Sequence, residues 1–365
     1  MLFNASAARL VVAWLSVGAF VFAGATLMAS ASVAVTVALF AWLLGVILWS
    51  AFGVVHEAEA LAERLGEPLG TLVLTLSIVI IEVALIAGVM LDANGAPTLG
   101  RDTMFAVLMI VLNGVVGLGL LVGGLRHHQQ AYNLQGASAY LAVIFPLTMI
   151  ALVLPNFTAS SAVGTLSLLQ SAFFSVFTIV LYALFLWLQT GRYRGFFAEE
   201  SVAAVDDEAT HATADVPLAR NVVLLLANIL PIVILSKSIA ILLDRGIVAL
   251  AAPAALGGIV IAMIVFMPEG ISALRAVAAN QLTRAINLCL GAAASTLGLT
   301  VPAVLLIGLM TGQTVVLGVS QANMVLLAVT LMLSALTFSG GRTTMLEGAV
   351  HLTMFFVFVV LVFSP

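Results

Sequence analysis

Read for polarity alone, the chain is a series of long apolar stretches broken by short polar joints. A helix needs about 20 mostly apolar residues to cross a bilayer. Eleven stretches approach or exceed that length, at approximately 10–28, 33–55, 68–91, 103–125, 138–155, 166–189, 219–243, 247–272, 285–310, 322–338 and 346–363. They are continuously apolar and do not alternate with period two, so they predict helices and not barrel strands. The expected fold class is an all-α polytopic membrane protein of about eleven transmembrane helices. The stretches at 138–155 and 322–338 are the shortest.

The polar joints orient the series. With the N-terminus cytoplasmic, Arg9, Arg64, Arg126, Arg192, Arg194, Arg220, Arg275, Arg284 and Arg342 fall on the inner side, and only Arg101 and Arg245 on the outer side. That asymmetry is the positive-inside pattern, and it puts the C-terminus outside a cell (inner) membrane. Lys237 lies inside the seventh stretch near its outer end, where its ammonium is expected to snorkel to the interface. Arg9, the apolar run and Ala29-Ser30-Ala31 have the outline of a cleavable signal peptide. The run is longer than the usual 7–15 residue signal core, so a retained helix is expected. The long polar segment at about 190–218 carries Glu199, Glu200, Asp206, Asp207, Glu208 and Asp215, whose spacing fits no calcium-loop pattern. The organisation is then an N-terminal helix (1–30), a five-helix repeat (31–190), an acidic cytoplasmic linker (191–218) and a second five-helix repeat (219–365).

Composition agrees. Of 365 residues, 63% are apolar and 8% charged, against about 25% charged in soluble domains. A net charge of −4 without a basic tract argues against a nucleic-acid partner. No phosphate-cradling glycine loop occurs, so neither a nucleotide nor another cofactor is expected, and a gradient-driven carrier is favoured over an ATP-driven pump. The single cysteine, Cys289, permits no internal disulfide.

Two acids break the apolar pattern. Glu82 lies within TLSIVIIEVALIAGV and Glu269 within GGIVIAMIVFMPEGISAL, each at the same distance after a Leu-Gly pair, Leu69-Gly70 and Leu256-Gly257. Both landmarks repeat with an offset of 187 residues. Five spans separate the two glutamates, so their helices run in opposite directions, as in the inverted repeats of secondary transporters. Pro268, directly before Glu269, removes a rung of the helix ladder. A carboxylate at mid-bilayer costs at least about 2.5–3.5 kcal/mol, so it must be neutralised or face a wet cavity. Two at matched positions point to an ion or proton site.

The stretches EALAERLGEPLGTLVLTLSIVIIEVALI (from Glu59) and MPEGISALRAVAANQLTRAINLCLGAAASTLGLTVPAVLL (from Met267) resemble the two α-repeats of the calcium/cation antiporter superfamily. They are most similar to its proton-coupled CAX group and, within it, to the bacterial ChaA-type branch. The resemblance spans helices two to eleven. It implies eleven helices, a cytoplasmic acidic linker, and exchange of a cation for protons at Glu82 and Glu269. The family pattern has an asparagine three residues before each glutamate, where this chain has Val79 and Phe266. Calcium takes six to eight oxygens, so helper ligands are sought among Thr75, Ser77, Asn113, Ser295 and Thr296, backbone carbonyls and water. Such hydroxyls also commonly serve helix packing.

The expected partners are therefore inorganic cations, protons and the lipid bilayer. One Ca²⁺ or two protons neutralises two facing carboxylates, whereas the empty ionised pair carries two charges in a poorly solvated place. Only loaded forms then repack readily, which makes transport an obligate exchange. Na⁺ or K⁺ against H⁺ at the same site is the alternative. A cytoplasmic group of His56, Glu57, Glu59, Glu63 and Glu67 reads as a solvated turn between spans two and three. Glu59, Glu63 and Glu67 could also attract cations to an inner mouth. Outside transport, Ser339 and His351 faintly resemble a rhomboid-like intramembrane protease, although Thr337 replaces the glycine expected before the serine. No H-E-x-x-H motif and no channel-filter segment occur. His127 and His128 beside Arg126 read as a wet turn.

Overall fold

The computed structural model describes residues 2–29, 32–66, 69–91, 97–198 and 218–364. Their helices, in chain order, are α1 (Leu2–Ala29), α2 (Val33–Leu65), α3 (Leu69–Met90), α4 (Leu99–His127), α5 (Leu134–Asn156), α6 (Leu168–Thr190), α7 (Leu218–Ala249), α8 (Ala255–Ala278), α9 (Leu282–Thr311), α10 (Gln321–Thr337) and α11 (Met345–Phe363). Ten of these are long and apolar enough to cross a membrane, and α10 is a shorter apolar helix of 17 residues. The molecule is thus an all-α polytopic membrane protein.

Polar residues at the joints start the helices. Ser32, Asn133, Ser167, Ser320 and Thr344 each cap a helix by accepting a hydrogen bond from backbone N–H groups one turn on. At Ser167 and Thr344 the cap residue's own backbone N–H donates back to the Gln170 and Glu347 side-chain oxygens, completing a capping box. Gly66 ends α2 at φ 63°, a left-handed conformation that glycine adopts without cost.

Several boundaries differ from the polarity pattern: α1 starts eight residues before its predicted start at 10, and α5 four before 138. Two of the differences have a clear consequence or cause. Helix α2 continues ten residues past the predicted end at 55, so the acids between His56 and Glu63 belong to its last turns and not to a loop. At the other boundary, α7 runs on to Ala249 and α8 starts only at Ala255, because Pro253 and a turn at Ala251 (φ 47°) break the chain there. That turn is itself apolar, so hydropathy alone could not find it. Arg245, expected in the outer loop, lies inside α7 and donates from Nη1 to the Met28 carbonyl at 2.6 Å. It satisfies an orphan carbonyl at the C-terminus of α1. Ser30 and Ala31 of the signal-like motif, and the acids from Glu199 to Asp215, lie outside the described residues.

The chain forms two compact units. Unit 1 comprises Met1–Thr103, Leu218–Pro268 and Ala303–Val315; unit 2 comprises Met104–Pro217, Glu269–Pro302 and Val316–Pro365. In unit 1, α2 packs along α7, α3 packs on both, and α1 lies against α2 and α7. Its core includes Leu43, Ile47, Val54, Leu85, Ile86 and Ile232. In unit 2, α11 packs along α4, while α9 contacts α4 and α5. A two-residue antiparallel ladder, β1 (Gln130–Ala131) with β2 (Arg342–Thr343), ties the α4–α5 turn to the α10–α11 turn.

Helices α4 and α9 each contain a π-helical segment, Met109–Val115 and Thr296–Thr300. Residues 109 and 296 stand 187 apart, the same offset as Glu82 and Glu269. π-Segments loosen a helix locally and occur disproportionately at functional sites.

Candidate cation site

In unit 1, Glu82 lies on α3 with 1% of its surface exposed. Seven residues earlier, Thr75 is half-buried. Ser77 is buried and donates its hydroxyl to the Val73 carbonyl of its own helix at 2.7 Å, which leaves its oxygen lone pairs available. Val79, where the family pattern has asparagine, is buried as well. Below Glu82, α3 approaches α7 closely: a Cβ on Gly88 would meet Ser236 at 2.8 Å.

Glu269 belongs to unit 2 and is 8% exposed. Pro268 lies within α8 and gives no N–H to the turn before it, so a backbone carbonyl loses its helical donor immediately ahead of the acid. Ser295 and Thr296, at the start of the α9 π-segment, are both buried. The Ser295 hydroxyl donates to Ala292 O at 3.0 Å. Cys289 borders an apolar cavity of about 20 Å³ with Val115, Gly119, Ala273, Val277 and Ile286. That volume would hold one water, but the lining offers no polar group to bind it.

Asn113 is fully buried in the α4 π-segment and bonds to neighbours through both its amide nitrogen and its amide oxygen. Its Nδ2 donates to Thr330 Oγ1 at 2.8 Å, and its Oδ1 lies 3.2 Å from His351 Nδ1. The other ring nitrogen, Nε2, is 2.9 Å from Thr337 Oγ1. At the end of this region Tyr132, outside the spans, donates its hydroxyl to the Gly340 carbonyl. Burial, aided by nearby Glu347, pushes its phenol up to about 12, so it remains a donor. Among the described residues no three His, Cys, Asp or Glu side chains cluster. A cation held here must therefore take most of its oxygens from hydroxyls, amides, carbonyls or water.

The sodium/calcium exchanger protein family model matches residues 35–191 and 221–364. The chain belongs to the sodium/calcium exchanger family. It is 38% identical over 322 residues to the sodium-potassium/proton antiporter ChaA of Escherichia coli (strain K12), covering 87% of each chain. It is 41% identical over 322 residues to y4hA of Sinorhizobium fredii (strain NBRC 101917 / NGR234), named as an ionic transporter, covering 88% of this chain and 87% of the relative. Among solved structures, native YfkE matches with a TM-score of 0.73 at 16% identity, covering 98% of this chain and all of its own. The H⁺/Ca²⁺ exchanger CAX matches at 0.68 and 13%, covering 97% of this chain and 87% of its own. Identities this low show the shared fold. The chain is thus a membrane-embedded cation antiporter similar to ChaA, with the fold shared by YfkE and CAX.

As a member of this family, the chain places its sequence-predicted residues in two sets. Thr75 and Ser77 precede Glu82 in unit 1, while Asn113, Ser295 and Thr296 share unit 2 with Glu269. Of the inner-mouth acids, Glu59 is partly buried and Glu63 exposed on the last turns of α2, and Glu67 lies outside the described residues. The protease alternative loses its dyad. Ser339 donates to Leu336 O in its own turn, and both ring nitrogens of His351 face other partners.

Two groups have partners that the sequence reading does not give them, Glu57 being read as part of a solvated turn and His351 as part of a protease-like pair. Glu57 is not solvated: it is 7% exposed and lies 3.9 Å from Arg9 of α1, whose Nε donates to Asn228 Oδ1 at 2.9 Å. The helical spacing of Gly53 and Glu57 was the available signal, since one turn of α2 turns both toward the same neighbour. The second group surrounds His351, a lone imidazole in an apolar run. An intramembrane ionisable residue of that kind is a functional candidate by default.

Proposed function

We propose that this exchanger moves Ca²⁺ against H⁺ across a cell (inner) membrane, with Glu82 and Glu269 as the carboxylates that carry the exchanged ions. The observation behind this reading is the burial of two acids at matched repeat positions in otherwise apolar spans, 1% and 8% exposed. Neither acid can stay ionised and unloaded in such surroundings without a cost of several kcal/mol. One Ca²⁺ or two protons leaves the pair electrically neutral, so the loaded forms interconvert and the empty form does not. Binding of the two cargoes is then mutually exclusive, and the paired acids titrate as a unit. Thr75, Ser77, Asn113, Ser295 and Thr296 are the candidate neutral oxygen donors.

A second reading, Na⁺ or K⁺ against H⁺ at the same acids, is favoured by one feature. Buried Val79 and Phe266 stand where the CAX pattern has amides, which lowers the number of oxygens on offer and suits a less demanding cation. ChaA, named as a sodium-potassium/proton antiporter, points the same way.

Glu82→Gln and Glu269→Gln should each abolish pH-driven uptake of radioactive Ca²⁺ and of Na⁺ into inverted vesicles while the protein remains inserted. Exchange at the wild-type rate in either variant would falsify the assignment. Titrating Ca²⁺, Na⁺ and K⁺ under one imposed pH gradient separates the two readings.

A further inference from the structure

His351 on α11 is fully buried and joins three helices of unit 2. The protons of this network can be assigned from its acceptors. Asn113 Nδ2 faces two acceptors, Thr330 Oγ1 at 2.8 Å and Met109 Sδ at 3.6 Å, so the amide oxygen is the atom turned to the imidazole. An oxygen only accepts, hence His351 Nδ1 carries the proton and Nε2 is bare, accepting from the Thr337 hydroxyl. The neutral imidazole is satisfied at both nitrogens, its N–H being shared between the Asn113 amide oxygen and the Leu112 backbone carbonyl. On the amide oxygen, Nδ1–H occupies one lone pair and leaves the second free.

Placement and packing bear on what that lone pair could do. Residue 113 is the middle of α4 (Leu99–His127), in a π-segment matched by that of α9. The chain lacks amides three residues before its two glutamates, and Asn113 offers an amide oxygen that those positions do not. Room for the imidazole comes from Gly117, where a Cβ would lie 3.0 Å from His351 Cβ. Ser334, one turn from both Thr330 and Thr337 on α10, is fully buried with a hydroxyl that has no hydrogen-bond partner.

We propose that His351 is a positioning residue of the exchange site: by donating from Nδ1 it holds the Asn113 amide so that its oxygen serves the transported cation. This rests on the exchange reading for Glu82 and Glu269. Hydrogen-bond partners behind metal ligands commonly set ligand orientation, and their loss weakens metal affinity about 10–100-fold. Among the elements packed against α11, neither α10 nor the α4 π-segment carries a titratable side chain, and Glu347 on α11 itself is engaged in the Thr344 cap.

The test uses full-length protein in proteoliposomes under a fixed pH gradient, reading apparent KM and Vmax for Ca²⁺, Na⁺ and K⁺. His351→Leu should raise KM for the transported cation about tenfold or more, with Vmax within about twofold of wild type. His351→Asn places an amide N–H near the position of Nδ1 and should restore most of the affinity. Asn113→Ala should raise KM to a similar degree, and the His351→Leu/Asn113→Ala double variant should be no worse than Asn113→Ala alone. A wild-type KM in His351→Leu, or singles whose effects multiply in the double, overturns the proposal. Should His351→Leu fail to insert, Thr330→Val, which releases the amide nitrogen, carries the same test: a raised KM that vanishes in the Asn113→Ala background supports it, and an unchanged KM overturns it. All of these variants keep both glutamates. Activity retained in Glu82→Gln would sink the exchange reading, whereas lack of coupling between 351 and 113 sinks only this inference.

Discussion

At position 53 a hydrogen in place of a side chain decides where Arg9 can lie. A Cβ there would come within 2.4 Å of the Arg9 guanidinium and of Asn228 Oδ1. The glycine thus opens a slot in α2 through which α1 delivers its one charged group to Glu57 and Asn228. The Arg9–Glu57 separation of 3.9 Å, with each side chain 9% exposed, makes an ion pair too long for a hydrogen bond. Its value lies in neutralising Glu57. Removing one partner of a buried pair costs about 3–5 kcal/mol, whereas replacing both with apolar groups is often neutral. Arg9→Leu should therefore lose on the order of 3 kcal/mol, seen as a lower thermal midpoint in detergent. Arg9→Leu/Glu57→Leu should recover most of it. A double variant no more stable than the single would show that the lost stability does not come from a stranded Glu57. The spacing of Gly53 and Glu57 marks one face of α2, but nothing in the sequence joined that face to Arg9, because Arg9 and Glu57 each sat at a polar joint. The exposed-looking acid was buried by a residue 48 positions away.

Elements were more readable than contacts. Apolar length found every helix, since a stretch that cannot be solvated must satisfy its backbone internally. Helix ends were read well where a capping Ser, Thr or Asn marked them, as at Ser167, Ser320 and Thr344, and poorly where the marker was missing, as at the apolar turn after α7. The π-segments left no trace in polarity because they change hydrogen bonding and not composition. Helix-to-helix distance was also hidden, although glycines set it. On α11, a Cβ at Gly348 would lie 2.4 Å from the Leu121 backbone nitrogen of α4, and backbone cannot yield as a side-chain tip can. Gly341, by contrast, has nothing within 4 Å of its Cβ position. Gly348→Ala should thus destabilise by about 1–3 kcal/mol, the range for overpacking, and weaken cation affinity through the nearby imidazole. Gly341→Ala should do neither. Equal thermal midpoints for the two variants in detergent would show that α11 does not depend on this close approach.

For the whole molecule, the compact units do not follow chain order. Unit 1 draws on α1 to α3, α7 and the first part of α8, and unit 2 on most of α4, on α5 and α6, on the rest of α8 from Glu269, on most of α9 and on α10 and α11, so each unit takes helices from both halves. The 187-residue offset suggests which helices to compare and says nothing of interleaving, because a repeat concerns which helices are alike and not which ones pack. Orientation rests on a different kind of reasoning, the placement of arginines, and can be tested separately. Cys289 is the only cysteine and is 2% exposed, so the unmodified chain should resist a membrane-impermeant maleimide. On a Cys289→Ser background, Arg192→Cys probes the exposed turn after α6, and Ser364→Cys probes the exposed end of α11. Eleven crossings and nine inner arginines require that Arg192→Cys label only in inverted vesicles and Ser364→Cys only in intact cells with a permeable outer barrier. Labelling of both from one face would mean an even number of crossings between 192 and 364, and the antiparallel relation of Glu82 and Glu269 would need a new basis. Labelling of each from the opposite face would keep the crossing number and reverse the direction in which the exchanger meets its cation.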